Sequence, residues 1–306
     1  LLSTLTESEA WAVSNDGTVV GVFQHSDPNS STASYECPGT WKDSKWTVME
    51  LPEGYKSGRA FAITPDGKYT CGVVTQNYTY LGYIWKEGKI YRQLNASGIA
   101  IPYAISPDGQ EATGWIERLN RTACYFKKDG SVKGLSSYQS IWSVGKGFSP
   151  DGNKILYWGG YDWSGEDLTQ CWGVYDIATG DSTAVPMYVK NADFDFFQMS
   201  GKGTIVGESN GSVAYMCVDG TPRSAYQYLQ EKGVDFSNLN IFIPEGDSIP
   251  YIFRAQTISE DDNTVGLLYY AATDDGYAEL KSVIVKFDVD SEHGAPAEVT
   301  VNNVDK

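Results

Sequence analysis

AWAVSNDGTVVGV, at residues 10–22, sets a pattern that returns five times along the chain. Close copies are AFAITPDGKYTCGVV (60–74), PYAISPDGQEATGW (102–115) and GKGFSPDGNKILYW (145–158); looser ones are FFQMSGKGTIVGES (196–209) and AQTISEDDNTVGLL (255–268). Each has a short apolar run, a Ser or Thr, a polar turn and a second apolar run. The Ser/Thr positions are Ser14, Thr64, Ser106, Ser149, Ser200 and Ser259, spaced by 50, 42, 43, 51 and 59 residues. β-rich repeats of about 40–50 residues indicate propeller blades, each a four-stranded antiparallel sheet.

The repeat supplies the two inner strands. Asp-Gly between apolar runs predicts a type I′ hairpin, which needs φ > 0 at both central residues. It occurs at Asp16-Gly17, Asp66-Gly67, Asp108-Gly109 and Asp151-Gly152. Gly201-Lys202-Gly203 takes the turn in the fifth copy, and Asp261-Asp262-Asn263 in the sixth. Small residues Ala12, Ala62, Ala104 and Gly147 suit a crowded innermost strand; Gln198 and Thr257 depart from that rule. Trp11, Phe61, Tyr103 and Phe197 are expected to pack between blades. The outer strands repeat too, as TWKDSKWTVMEL (40–51), YIWKEGKIYRQL (83–94), CYFKKDGSVKGL (124–135), CWGVYDIATGDSTAV (171–185), AYMCVDGTP (214–222) and VIVKFDVDSEHGAPAEV (283–299).

The expected architecture is all-β: one six-bladed β-propeller of four-stranded antiparallel blades over residues 1–306. Its blades fall near 6–51, 58–94, 101–135, 143–186, 194–223 and 252–303. One short helical insertion, 224–250, separates blades five and six. There Ser224 and Gln227 fit a capping box and Gly233 a C-terminal stop. The last blade is completed either by LLSTL (1–5) or by AEVTV (297–301).

The chain carries 23 Lys and Arg against 39 Asp and Glu, a net charge of −16. That argues against nucleic acid as a partner, because phosphate binding needs clustered bases. No apolar run reaches the roughly 20 residues of a membrane-spanning helix. The five cysteines, Cys37, Cys71, Cys124, Cys171 and Cys217, form no C-x-x-C and read as small buried hydrophobes. The two histidines, His25 and His293, offer neither a catalytic triad nor a zinc spacing. No cofactor and no metal site is expected.

The unit A-x-A-[VI]-S-x-D-G-x-x-V-x-G, followed by an aromatic strand, a Gly hairpin and Leu, resembles the HAF repeat of bacterial extracellular proteins. It is also similar to TolB-type propeller units carrying S-P-D-G. YLQEKGVDFSNLNIF ahead of the sixth copy strengthens the HAF comparison. The resemblance implies an extracytoplasmic bacterial protein, secreted, periplasmic or surface-anchored. It brings no catalytic residues with it.

Function is expected on the loops away from the Asp-Gly turns: 23–40, 52–59, 75–82, 95–101, 117–121, 136–144, 159–169, 186–194, 209–213 and 271–279. They are rich in aromatic and acidic groups, including Tyr55, Tyr78, Tyr80, Tyr188, Asp274, Asp275 and Tyr277. GGYDWSGEDLTQ (159–170) is the most site-like stretch. The ligand-binding candidates are Tyr161, Asp162, Trp163, Glu166, Asp167, Tyr138, Trp142, Asp193 and Asp195, since flat rings stack on sugar faces and carboxylates bind hydroxyls. The expected function is non-enzymatic binding of a glycan or protein partner by a monomer. Alternatives are a glycoside hydrolase or lyase using loop carboxylates, and a purely structural surface module.

Overall fold

The computed structural model describes residues 8–26, 34–95, 98–117, 121–135, 142–162, 169–185, 194–209, 213–243, 252–273, 278–287 and 298–302. Of residues 25, 26, 34, 161, 162, 169, 170, 194, 253 and 298–302 it describes the backbone alone. The protein is a six-bladed β-propeller with four antiparallel strands per blade and one α-helix.

Blade one is Ser8–Val13 (β1), Val19–Ser26 (β2), Ser34–Lys42 (β3) and Lys45–Val48 (β4); blade two is Ser57–Ile63 (β5), Tyr69–Gln76 (β6), Thr79–Lys86 (β7) and Lys89–Leu94 (β8). Blade three is Ala100–Ile105 (β9), Ala112–Glu117 (β10), Arg121–Phe126 (β11) and Val132–Gly134 (β12); blade four is Val144–Phe148 (β13), Lys154–Asp162 (β14), Thr169–Asp176 (β15) and Ser182–Ala184 (β16). Blade five is Phe194–Met199 (β17), Ile205–Ser209 (β18), Val213–Val218 (β19) and Thr221–Ser224 (β20); blade six is Ile252–Ile258 (β21), Thr264–Ala272 (β22), Ala278–Lys286 (β23) and Glu298–Asn302 (β24). In every sheet the spatial order is the chain order. Blade six is therefore completed by β24, from the C-terminal segment, paired to β23. LLSTL lies outside the described residues.

The chain forms two compact units: residues 1–148, 152–162 and 173–182 make the first, and 149–151, 163–172 and 183–306 the second.

Every innermost strand carries a β-bulge, which sequence reading did not anticipate. The pairing with the second strand skips Trp11, Phe61, Tyr103, Lys146, Phe197 and Gln256, all at the same repeat position. The extra residue presses the inner backbone onto its neighbour. A methyl group on Gly21, Gly72, Gly114 or Gly207 would overlap the carbonyl oxygen of Glu9, Arg59, Ile101 or Asp195 respectively. The glycine of the second apolar run is thus the bulge's partner. Blade four moves it across the ladder, pairing Gly145 with Tyr157. In the first unit the bulged rings meet in series, Trp11 to Phe61 and Phe61 to Tyr103, each with centroids 5.2 Å apart. This agrees with the expected packing of those residues between blades.

The Asp-Gly turns differ from expectation. Type I′ geometry would place Asp at positive φ, yet Asp16, Asp66, Asp108 and Asp151 are not among the positive-φ residues. Instead the Gly17, Gly67 and Gly109 N–H groups donate back to Ser14, Thr64 and Ser106 carbonyls at 2.9–3.0 Å. Only the glycine is left-handed, with φ of 79°, 74° and 72°. The side chains impose this form. Ser14, Thr64, Ser106, Ser149 and Ser259 hydroxyls donate to the carboxylate two residues on at 2.5–2.7 Å, and in four of these turns that carboxylate also accepts a backbone N–H. Asp262, at φ 65°, replaces glycine in the sixth copy. Its carboxylate accepts the hydroxyl of Thr204, 2.7 Å away in the Asp-less fifth turn. True two-residue left-handed turns occur elsewhere, at Asp43-Ser44, Asn77-Tyr78, Glu87-Gly88 and Asp219-Gly220.

Gln198 and Thr257 have a reason to be larger than their counterparts. The Thr257 hydroxyl donates to the Gln198 amide oxygen at 2.6 Å, and the Ile258 N–H at 3.0 Å. The insertion contributes the helix Ala225–Glu231 (α1), whose Tyr228 and Leu229 join the core between blades five and six with Phe236 and Leu239. Its stop is as expected: Gly233 has φ 86° and the Val234 N–H reaches the Leu229 carbonyl. The capping box does not form. Ser224 makes no side-chain cap bond, and its hydroxyl is buried without a hydrogen-bond partner. The cysteines form no disulfide, four of the five are buried, and burial pushes the Cys217 thiol up to about 11.

Two tests follow from the bulge and the turns. Gly114→Ala should lose about 1–3 kcal/mol in urea denaturation, whereas Gly134→Ala, whose added methyl meets nothing closer than 3.9 Å, should change stability by less than about 0.5 kcal/mol. The Asp66 and Asp261 carboxyls are held below their ordinary value by the Thr64 and Ser259 hydroxyls. A lowered folded value means stability that is present above the unfolded Asp pKa, about 3.9, and lost as pH falls through the folded value. Denaturation midpoints should drop between about pH 5 and pH 2, and less steeply in an Asp66→Asn, Asp261→Asn double variant.

Candidate functional site

Antiparallel order puts the inner turns at one end of each sheet. The loops from second to third strand, and the links between blades, fall at the other end. At that end of blades one and two lies an open groove of about 480 Å³. Tyr35 comes from the start of β3, Lys56 and Ser57 from the link into β5, Thr75 and Gln76 from the end of β6, and Asn77, Tyr78 and Tyr80 from the β6–β7 hairpin. The volume is within the range of small-molecule sites.

The hairpin decides the groove's character. Asn77 and Tyr78 have φ of 47° and 63°. A left-handed aromatic residue is uncommon and strained; glycine takes the same place at Gly88 and Gly220. The Tyr78 side chain gains no burial in return, being 92 % exposed. Opposite it, the Lys56 ammonium lies 5.1 Å from the Tyr35 ring centroid and 3.3 Å from its hydroxyl. The Gln76 amide donates to the Gly54 carbonyl at 2.9 Å, fixing the link. Among the described residues the lining contains tyrosines, amides, hydroxyls and one ammonium, and no carboxylate.

A second cavity, about 340 Å³, is lined by Ser8, Glu9, Val22, Phe23, Gln24 and Glu36. Its two carboxyls do not form an acid–base pair of the kind glycoside hydrolysis uses. Glu36 is engaged by Arg59 at 2.6 Å, and Glu9 is exposed. Among the described residues no three His, Cys, Asp or Glu side chains gather as metal ligands.

Of the nine candidates, Trp163, Glu166, Asp167, Tyr138 and Asp193 lie outside the described residues. Tyr161 and Asp162 end β14, with backbone alone described. Asp195 sits on β17 opposite Glu208. Trp142 is half-exposed and covers the Arg121 guanidinium, 4.5 Å from its ring centroid. The structure thus joins Trp142 to Arg121. Tyr78 and Tyr80 were legible as loop aromatics; Tyr35, Lys56, Ser57 and Gln76 were not. The available signal was Asn-Tyr between the alternating runs of β6 and β7, a left-handed turn with an aromatic in the glycine place.

No family model matches the chain, and no curated protein matches it in sequence. Solved structures do resemble it. Prolyl oligopeptidase B from Galerina marginata, bound to a 35mer hydrolysis and macrocyclization substrate, is similar at a TM-score of 0.52 and 12 % identity, over 98 % of this chain and 51 % of that one. TolB from Acinetobacter baumannii is similar at 0.48 and 16 %, over 71 % and 53 %. The β-propeller domain of the Trilobed protease from Pyrococcus furiosus is similar at 0.49 and 11 %, over 98 % and 96 %. The chain spans about half the length of the first two. At these identities the likeness is one of fold, and the fold is a β-propeller.

Proposed function

We propose that this protein is a non-enzymatic, extracytoplasmic propeller that binds a glycan through the loop end of its blades. The observation that carries the reading is the groove around Tyr78: an exposed aromatic held at an unfavourable backbone angle beside neutral hydrogen-bonding side chains. Tyrosine faces complement the C–H faces of sugars, and amides and hydroxyls match sugar hydroxyls. Strain kept at an exposed position supports a binding role over a purely structural one. The described lining residues are tyrosines, amides, hydroxyls and one ammonium, which favours binding over hydrolysis. The extracytoplasmic placement rests on the HAF-type repeat, and no helix among the described residues is long and apolar enough to cross a membrane.

Glycan arrays followed by calorimetry test this. Tyr78→Ala and Tyr80→Ala should each weaken binding about tenfold or more, as loss of an aromatic anchor does. Release of reducing ends from a bound polysaccharide would replace the proposal with the hydrolase reading. Capture of proteins only, with an empty glycan array, would replace it with the protein-partner reading. Tyr78→Gly separates strain from recognition: it should raise stability by about 1 kcal/mol, the relief of one left-handed residue, while abolishing binding.

A further inference from the structure

Arg121 opens β11, and its guanidinium is clamped between two indoles. The guanidinium carbon lies 4.7 Å from the Trp115 ring centroid and 4.5 Å from that of Trp142. Trp115 is 5 % exposed and forms the floor; Trp142 is 52 % exposed and forms the lid. The lid is bolted down. Trp142 bridges the Arg121 backbone in parallel, the Ser143 N–H donates to the Arg121 carbonyl at 3.1 Å, and the Ala123 N–H donates to the Ser143 hydroxyl at 2.7 Å.

Other described arginines use their in-plane N–H groups within the protein. Arg59 pairs with Glu36, Arg223 with Glu231 and Arg254 with Glu208, while Arg92 donates to the Lys127 and Gln110 carbonyls. Arg121 has both faces covered and, among the described residues, no hydrogen-bonding or acidic partner at its edge. Glu117, its cross-strand neighbour, is not paired with it. In a chain of net charge −16, an exposed arginine beside two tryptophans with no acidic partner among the described residues is conspicuous. The two ring contacts hold the guanidinium in place, and Arg121 remains exposed. Its N–H fork matches a carboxylate through two parallel charge-assisted hydrogen bonds, and its ordering entropy is already spent.

We infer that Arg121, framed by Trp115 and Trp142, is a carboxylate-binding subsite for an acidic sugar, a uronic acid residue of a glycan. The carboxylate docks on the guanidinium, and the half-exposed Trp142 ring borders the place the sugar would take. The sugar identity rests on the glycan reading above; the carboxylate does not.

The test uses the full chain and calorimetry with trigalacturonic acid, its methyl ester, neutral maltotriose and a tetraglutamate peptide. The free acid should bind about tenfold or more tightly than the ester, the scale of a charge-assisted pair. Arg121→Gln should erase that preference, and Arg121→Lys should lose most of it, because an ammonium keeps the charge without the fork. Equal affinity for acid and ester, no binding of either, or an unchanged preference in Arg121→Gln would overturn the inference. So would binding of the peptide without the sugar acid. The acid–ester comparison needs no variant, so it stands even where a substitution fails to fold. The two readings fail separately. Neutral-glycan binding unchanged by Tyr78→Ala counts against the groove alone, and equal affinity for acid and ester counts against Arg121 alone.

Discussion

The closest approach in this fold is between backbone and backbone, where each innermost strand bulges against its neighbour. The bulge adds a residue without advancing the pairing, so one carbonyl on the inner strand is driven onto the α-carbon opposite. In four blades only glycine at that place tolerates the approach. The bulge in turn releases Trp11, Phe61 and Tyr103 from the ladder, and their rings join successive inner strands of the first unit. One backbone irregularity, present in all six blades, thus couples a glycine in the second strand to an aromatic in the first in four of them.

The same coupling explains what the sequence could and could not disclose. Period and pattern revealed six blades, because hydrophobic alternation and a recurrent Ser-x-Asp-Gly survive drift. The bulge left its trace in the pairing of an aromatic residue with a glycine in four blades, but no period distinguishes a bulged strand from a regular one. The Asp-Gly dipeptide was misleading for a related reason. Its backbone preference points to a type I′ turn, and the serine two residues earlier overrides it by drawing the carboxylate into a hydrogen-bonded cap. Ser224 erred in the opposite direction: a good capping residue by type, it is buried beside a strand and caps nothing.

The site was less legible, because it is assembled from blade ends that no local window contains. Tyr35 and Tyr78 belong to different blades and meet only through packing. Trp142 stood out as a loop aromatic, yet its neighbours Arg121 and Trp115 gave no sign in one dimension. Strand ends carry the information here, and strand ends are where periodicity stops. The departures at Gln198 and Thr257 make the same point inside the fold. Read singly they break a small-residue rule; together they are a hydrogen-bonded pair.

The order of strands has a kinetic consequence. Each of the six sheets is built from four strands in sequence, with β24 closing the last blade instead of a strand borrowed from the other terminus. Every ladder can then form from a local segment, and the loop-closure entropy of pairing grows with the short distance between adjacent strands, not with the length of the chain. Folding can begin in any blade and proceed hairpin by hairpin, in the regime of local contacts that favours rapid formation. The same order makes the blade a self-contained unit of descent. A blade can be copied, lost or elaborated, as with the helix between blades five and six, without breaking any other blade's strand ladder.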